Sequence, residues 1–276
     1  MINLNHYQEG SFDYYENALI AKRDQAYKDR MSLLREELFL LFSNYQSFFD
    51  SNSLEDLQAH GYVDPEKNDL ESLYSFKSAI VQRLKSTLTT DSSNRILNTC
   101  QNCTINSINS FDHFLPKGEF PEFSMNPLNL FPSCTECNSK KGTQWKDIHG
   151  NRIFLNLYLD LLPNERYLKT NLTFDDDILR IDFSLLNPGI DPILYKRISY
   201  HYSQLELAKR FRLESDKVVT ELINTVKPVS HILTKDQIVL ITLETERKNR
   251  EAFGYNYWKS ILKTDLIQRD EFFDLI

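Results

Sequence analysis

The chain has 276 residues, 41% hydrophobic and 12% aromatic, enough for one large packed core or two smaller ones. Its formal charge of −7 excludes a generally basic, nucleic-acid-coating protein, and only seven glycines favour helices over turn-rich sheets. No apolar run is long enough to span a bilayer, and the opening MINLNHYQEG has neither the basic start nor the apolar stretch of a secretory signal, so a soluble, cytoplasmic protein without membrane contact is expected.

In residues 14–49, Leu19, Ile20, Ala26, Met31, Leu34, Leu38, Leu41 and Phe42 recur at intervals of three and four, which predicts one or two amphipathic helices. Breaks follow at 50–53 and 61–65. Leu70, Leu73, Tyr74, Phe76, Ile80, Val81 and Leu84 predict a further helix over 66–88. Residues 1–90 therefore read as an N-terminal helical region whose apolar stripes are core. His6 and His60 are isolated and receive no role.

Residues 91–152 carry the chemistry. Cys100/Cys103 and Cys134/Cys137 are all the cysteines of the chain, and C-x2-C spacing lets both sulfurs of a pair reach one tetrahedral ion. A structural zinc clasp is expected; two disulfides would need an oxidising compartment. Between the pairs, 107–115 and 126–131 suit two strands, with Pro116-Lys117-Gly118 and Pro121 forcing a loop. Ser133 with Glu136 three residues on predicts a capping box, and Gly142 a helix stop.

His113 is the candidate general base, since a neutral imidazole titrates near ambient pH. Asp112 offers a hard oxygen and Asn138 a neutral one for a catalytic divalent cation, Mg2+ or Mn2+. Neighbouring strand residues face opposite ways, so a bend or strand end is expected at Asp112-His113. Lys140, Lys141 and Lys146, with Arg152, predict a small basic exit from the site for substrate phosphates. So small a patch implies weak, salt-sensitive binding, and tight engagement then needs a partner or a dimer. His149, in the His149-Gly150-Asn151 turn, reads as a surface residue.

The succession Asp112-His113, Pro116, Asn129-Leu130, Cys137-Asn138 and Lys141-Gly142 resembles the HNH nucleases of the ββα-metal, or His-Me finger, type, over roughly residues 96–145. The resemblance implies a DNA endonuclease leaving 5′-phosphate and 3′-hydroxyl ends, with Asn129 orienting His113 or its loop. Asn138 stands where the family name expects histidine, a variant also found in the HNH domain of RNA-guided CRISPR effectors. Small HNH proteins wrapped in helices are common in bacterial anti-phage systems such as Septu, where an ATPase subunit often controls them. One site per chain implies two chains, as in a homodimer, or two sequential events for a double-strand break. Two other readings stand beside this one: a non-catalytic zinc-clasped adaptor subunit, and a nuclease for RNA or single strands.

In residues 153–276, the segments 166–174 and 178–185 alternate as a β-hairpin around Asp175-Asp176-Asp177, which reads as a solvated turn rather than a metal site. Helices are predicted over 192–210, 214–226 and 235–252, with a last stretch through Trp258 and Ile261 to Phe273, punctuated by Pro228 and Thr234. His201 and His231 read as surface or capping residues. The expected fold is α+β, mainly helical: a small zinc-braced ββα-metal core over 91–152, flanked by helical regions at 1–90 and 153–276, the latter with the hairpin.

Overall fold

The computed structural model describes residues 1–91, 94–175 and 178–276. The fold is α+β and mainly helical, with a buried four-cysteine cluster. Two compact units divide the chain: Asn3–Asn102 with Asn106–Leu161, and Leu162–Ile276 with Met1–Ile2 and Cys103–Ile105.

In the first unit, α1 (Ser11–Ile20), α2 (Gln25–Leu33) and α3 (Arg35–Asp50) occupy the segment predicted as one or two helices. Asp24 caps α2 by accepting the Tyr27 amide at 3.1 Å. On α3, Leu38, Phe42, Tyr45 and Phe49 follow a 4-3-4 spacing and are all buried. Burying four such side chains contributes roughly 6–12 kcal/mol before chain entropy is counted. They meet the loop after the first strand, with the Tyr45 and Phe123 rings 4.7 Å apart.

The helix predicted over 66–88 divides into α4 (Glu66–Leu73) and α5 (Ala79–Thr89). Tyr74 leaves α4 with extended backbone, and the rings of Tyr74 and Phe76 pack on His113 and Phe111. Tertiary contacts thus override helical periodicity here. One core runs through this unit from Phe12 to Trp145, with residues from both of the segments predicted as 1–90 and 91–152.

Strands β1 (Ser110–His113) and β2 (Leu130–Ser133) pair antiparallel, Asp112 opposite Phe131 and His113 opposite Leu130, and α6 (Thr135–Lys141) follows. The predicted order of strand, loop, strand and helix holds. Both strands are shorter than predicted, and β2 starts later, because Asn126 turns the chain by accepting the Leu128 amide at 3.0 Å. The N-cap of α6 is Cys134 rather than Ser133; its sulfur accepts the Cys137 amide at 3.4 Å. Gly142 ends the helix at φ +56°, where a side chain would be strained.

The second unit contains the predicted hairpin, β3 (Leu168–Asp175) antiparallel to β4 (Ile178–Leu185), followed by α7 (Pro192–Gln204), α8 (Leu207–Val226), α9 (Lys235–Phe253), α10 (Trp258–Ile267) and α11 (Asp270–Phe273). The break after α7 comes earlier than predicted, at Glu206, whose φ is +51°. Thr234 and Gln237 form a capping box on α9. The Trp258 and Phe211 rings stack at 5.1 Å, with Phe183 edge-on to both. In the predicted aspartate turn, Asp175 is exposed at the end of β3, while Asp176 and Asp177 lie outside the described residues. Among the described residues, no helix is long and apolar enough to cross a membrane.

Candidate functional site

β1, β2 and α6 bring Asp112, His113, Asn129 and Asn138 together within the first unit. His113 is the last residue of β1, which places the strand end where the two adjacent side chains must diverge. Asp112 turns to α6 and meets Lys141, while the His113 ring lies edge-on to Tyr74 at 4.6 Å.

His113 Nε2 is 3.0 Å from the Ser124 carbonyl oxygen. A carbonyl only accepts, so Nε2 carries the proton and Nδ1 keeps the lone pair. Nδ1 has no hydrogen bond among the described residues. Burial pushes the imidazole down to about 3; the Ser124 contact opposes the shift, and Lys117 and Lys141 add to it.

Asp112 is 4% exposed and Lys141 1%. Lys141 Nζ donates to Asp112 Oδ1 at 2.9 Å, to the His113 carbonyl at 2.9 Å and to the Phe114 carbonyl at 3.2 Å, which uses all three protons of the ammonium. Burial pushes the Asp112 carboxyl up, opposed by the charge and hydrogen bond of Lys141. Lys141 was expected at a substrate phosphate; its ammonium instead points inward and is saturated.

Asn129 and Asn138 do different work. Asn129 is fully buried: Oδ1 accepts the Leu115 amide at 2.7 Å and the Tyr45 hydroxyl at 3.3 Å, while Nδ2 donates to the carbonyls of Leu115 and Phe123. It clamps the loop that leaves His113 and has no capacity left for a substrate. Asn138, half-buried on α6, donates Nδ2 to Ser110 Oγ at 2.8 Å and to the Phe111 carbonyl at 3.1 Å. Tying down the nitrogen fixes the amide and leaves Oδ1 as its open acceptor.

The sulfurs of Cys100, Cys103, Cys134 and Cys137 all lie within 4.8 Å of one another, every side chain is buried, and none forms a disulfide. The Ile105 and Cys137 amides point at Cys103 Sγ and Cys134 Sγ, each at 3.4 Å, and Asn106 Nδ2 approaches Cys134 Sγ at 3.9 Å. Donors converging on sulfur favour thiolates. The cluster is positioned to bind a metal ion.

The predicted basic exit is largely dismantled. Arg152 is 2% exposed, 2.9 Å from Asp160 and 3.6 Å from Glu55. With Lys141 also internal, Lys140 and Lys146 remain half-buried at the surface, Lys146 over the Trp145 ring at 4.2 Å. Burial of such cations requires a carboxylate partner, and those partners are distant or unremarkable in sequence. His149 is exposed in its turn.

Sequence reasoning missed Ser124, Tyr74, Ser110 and Tyr45, which hold His113, Asn138 and Asn129. Ser124 acts on His113 through its main-chain carbonyl, which leaves no side-chain signature; Ser110 offered only its place two residues before Asp112.

The chain is thus an α+β protein with a ββα unit and a buried metal-binding cysteine cluster. It is similar to Protein ea31 of Escherichia phage lambda, 26% identical over 190 residues, which cover 61% of each chain. It is also similar to Septu protein PtuB of Bacillus thuringiensis, 56% identical over 32 residues, which cover 12% of each chain. The matches span less than two thirds of either relative. No protein-family model matches the chain, and no solved structure matches it.

Proposed function

We propose that the chain is a metal-dependent HNH endonuclease that hydrolyses DNA phosphodiester bonds as the nuclease of a bacterial anti-phage system. The observation that carries the reading is His113, whose tautomer is set by the Ser124 carbonyl so that Nδ1 keeps an unengaged lone pair. The similarity to Septu protein PtuB supports the defence setting.

His113 Nδ1 takes a proton from water as the oxygen attacks phosphorus and the bond to the 3′ oxygen breaks. A base held near pKa 3 is weak at neutral pH. The negative charge of a bound phosphodiester raises it again, which couples basicity to substrate. Asp112, through the oxygen that Lys141 leaves unengaged, and Asn138, through Oδ1, would hold Mg2+ or Mn2+, which would supply charge stabilisation to the phosphoryl and departing oxygens. Asn129 keeps the loop after His113 in place, and Lys140 and Lys146 are the remaining phosphate contacts. The buried thiolates fit zinc: four sulfurs about 2.3 Å from one ion stand roughly 3.8 Å apart, within the observed spread. An ATPase partner and a homodimer belong to the same reading.

One observation favours the second reading, a zinc-clasped adaptor without catalysis: the Lys141 ammonium already engages one Asp112 oxygen. Supercoiled plasmid with Mg2+ or Mn2+, cleaved by the wild type but not by His113→Ala, supports the nuclease. Equal cleavage by both, or by neither, removes it. Preferred cleavage of RNA or single-stranded DNA in the same assay moves the substrate class.

A further inference from the structure

The β3–β4 hairpin has two outer edges, which the second unit treats differently. The ladder bond from the Leu186 amide to the Tyr167 carbonyl, 2.9 Å, sets the phase of the pairing. In an antiparallel pair, alternate residues turn both backbone groups away from the partner strand. Counting from that bond, these are Leu168, Thr170, Leu172 and Phe174 on β3, and Leu179, Ile181, Phe183 and Leu185 on β4.

Leu168 confirms the count. Its outward amide meets Asn256 Oδ1 at 3.0 Å, and its outward carbonyl accepts from Arg166 Nε at 3.0 Å. No such contacts reach Leu179 or Ile181; among the described residues, their outward amides and carbonyls have no hydrogen-bond partner within the protein.

A cleft of about 570 Å3 lies along this open edge. Four consecutive residues of β4, Leu179 to Asp182, line it. Successive strand side chains face opposite ways, so a cleft touching all four is entered from the strand edge rather than from one face. Its other wall is α8, through Arg212, Asp216 and Val219, with Leu275 beside them.

We propose that this cleft receives an extended segment of another protein, which adds to β4 as a third strand. Unmet amides and carbonyls on alternate residues are satisfied as a set by another extended backbone. Two charge pairs along the cleft are closed inside the chain, Arg212 with Asp182 at 3.2 Å and Arg180 with Asp175 at 3.8 Å, whereas the Asp216 carboxylate in its wall has no ion pair among the described residues. The inserted strand is therefore apolar at the positions facing Leu179, Ile181 and Val219 and carries a basic side chain facing Asp216. The inference is independent of the nuclease reading.

Random decapeptides displayed on phage and panned against the full chain provide the probe. Ile181→Pro is the matched variant, because proline there removes an outward amide and no ladder bond. Enriched peptides, made synthetically, are expected to bind Ile181→Pro at least about tenfold more weakly than wild type. The same peptides N-methylated at alternate residues should lose about as much against the unaltered chain, a measurement that does not depend on the variant folding. Hydrogen exchange at Leu179 and Ile181 should slow on binding. No enrichment, indifference to N-methylation, or protection elsewhere overturns the proposal. So does a dimer in sedimentation that Ile181→Pro dissolves, since the occupant would then be a second copy.

Discussion

Lys141 Nζ lies 2.9 Å from Asp112 Oδ1, with both side chains closed off from solvent. The pair joins the end of α6 to the end of β1, and Lys141 extends it to the carbonyls of His113 and Phe114. An internal cation thereby shapes the backbone around the candidate base. Lys141→Met strands a buried carboxylate and is expected to cost about 3–5 kcal/mol in urea unfolding. Adding Asp112→Asn should recover much of that loss, and a single-variant cost below about 1 kcal/mol would show that the pair is not a structural tie.

The two asparagines should separate stability from activity. Asn129→Ala leaves the Leu115 amide and the Leu115 and Phe123 carbonyls without their buried partner, a loss of about 3 kcal/mol or more in denaturant melts. Asn138→Ala loses two contacts at a half-exposed position and should cost about 1 kcal/mol. Under the nuclease reading, Asn138→Ala nonetheless abolishes Mg2+-dependent plasmid cleavage. Retained cleavage in that variant removes Asn138 from the cation site.

Metal analysis of the purified chain should find one tightly held ion, with zinc as the expected element. Structural zinc sites contribute on the order of 10 kcal/mol to folding, so Cys134→Ser should lower both metal content and melting temperature. Calorimetry and elemental analysis of the same sample read the two effects together. Unchanged values of both would show that the cluster does not bind a structural metal.

His113 gives the protein a signature in acid. Its imidazole is lowered from 6.5 to about 3 by burial, so between those values the unfolded chain binds a proton that the folded chain does not. The stability it contributes is complete above pH 6.5 and is lost as pH falls toward 3, with a slope of at most about 1.4 kcal/mol per pH unit. Urea titrations from pH 7 to pH 4 should show this slope, and His113→Gln should flatten it. An unflattened profile assigns the acid sensitivity to another group.

What was legible in the chain was local. The C-x2-C pairs, the Gly142 stop, the hairpin alternation on either side of 175–178 and the Thr234 start each depend on residues a few positions apart, and each is in the fold. The order of the ββα unit was legible for the same reason. Its asparagines were legible as residues of the site; the partners that hold them were not: Asn129 is tied to Leu115, Phe123 and Tyr45, and Asn138 to Ser110 and the Phe111 carbonyl.

The fate of the charges was settled by tertiary structure. Lys140, Lys141, Lys146 and Arg152 look alike as a basic run, yet two of them are drawn inside by Asp112, Asp160 and Glu55. The same holds for the helix that breaks at Tyr74 to pack its ring on His113, and for the Ser124 carbonyl that sets the imidazole tautomer. Short-range spacing fixes which backbone a segment adopts, because its hydrogen bonds close within a few residues. Which polar group is buried, and in what state, depends on partners far along the chain, as Arg152 on Asn52, 100 positions away, shows, and only the folded chain brings those together.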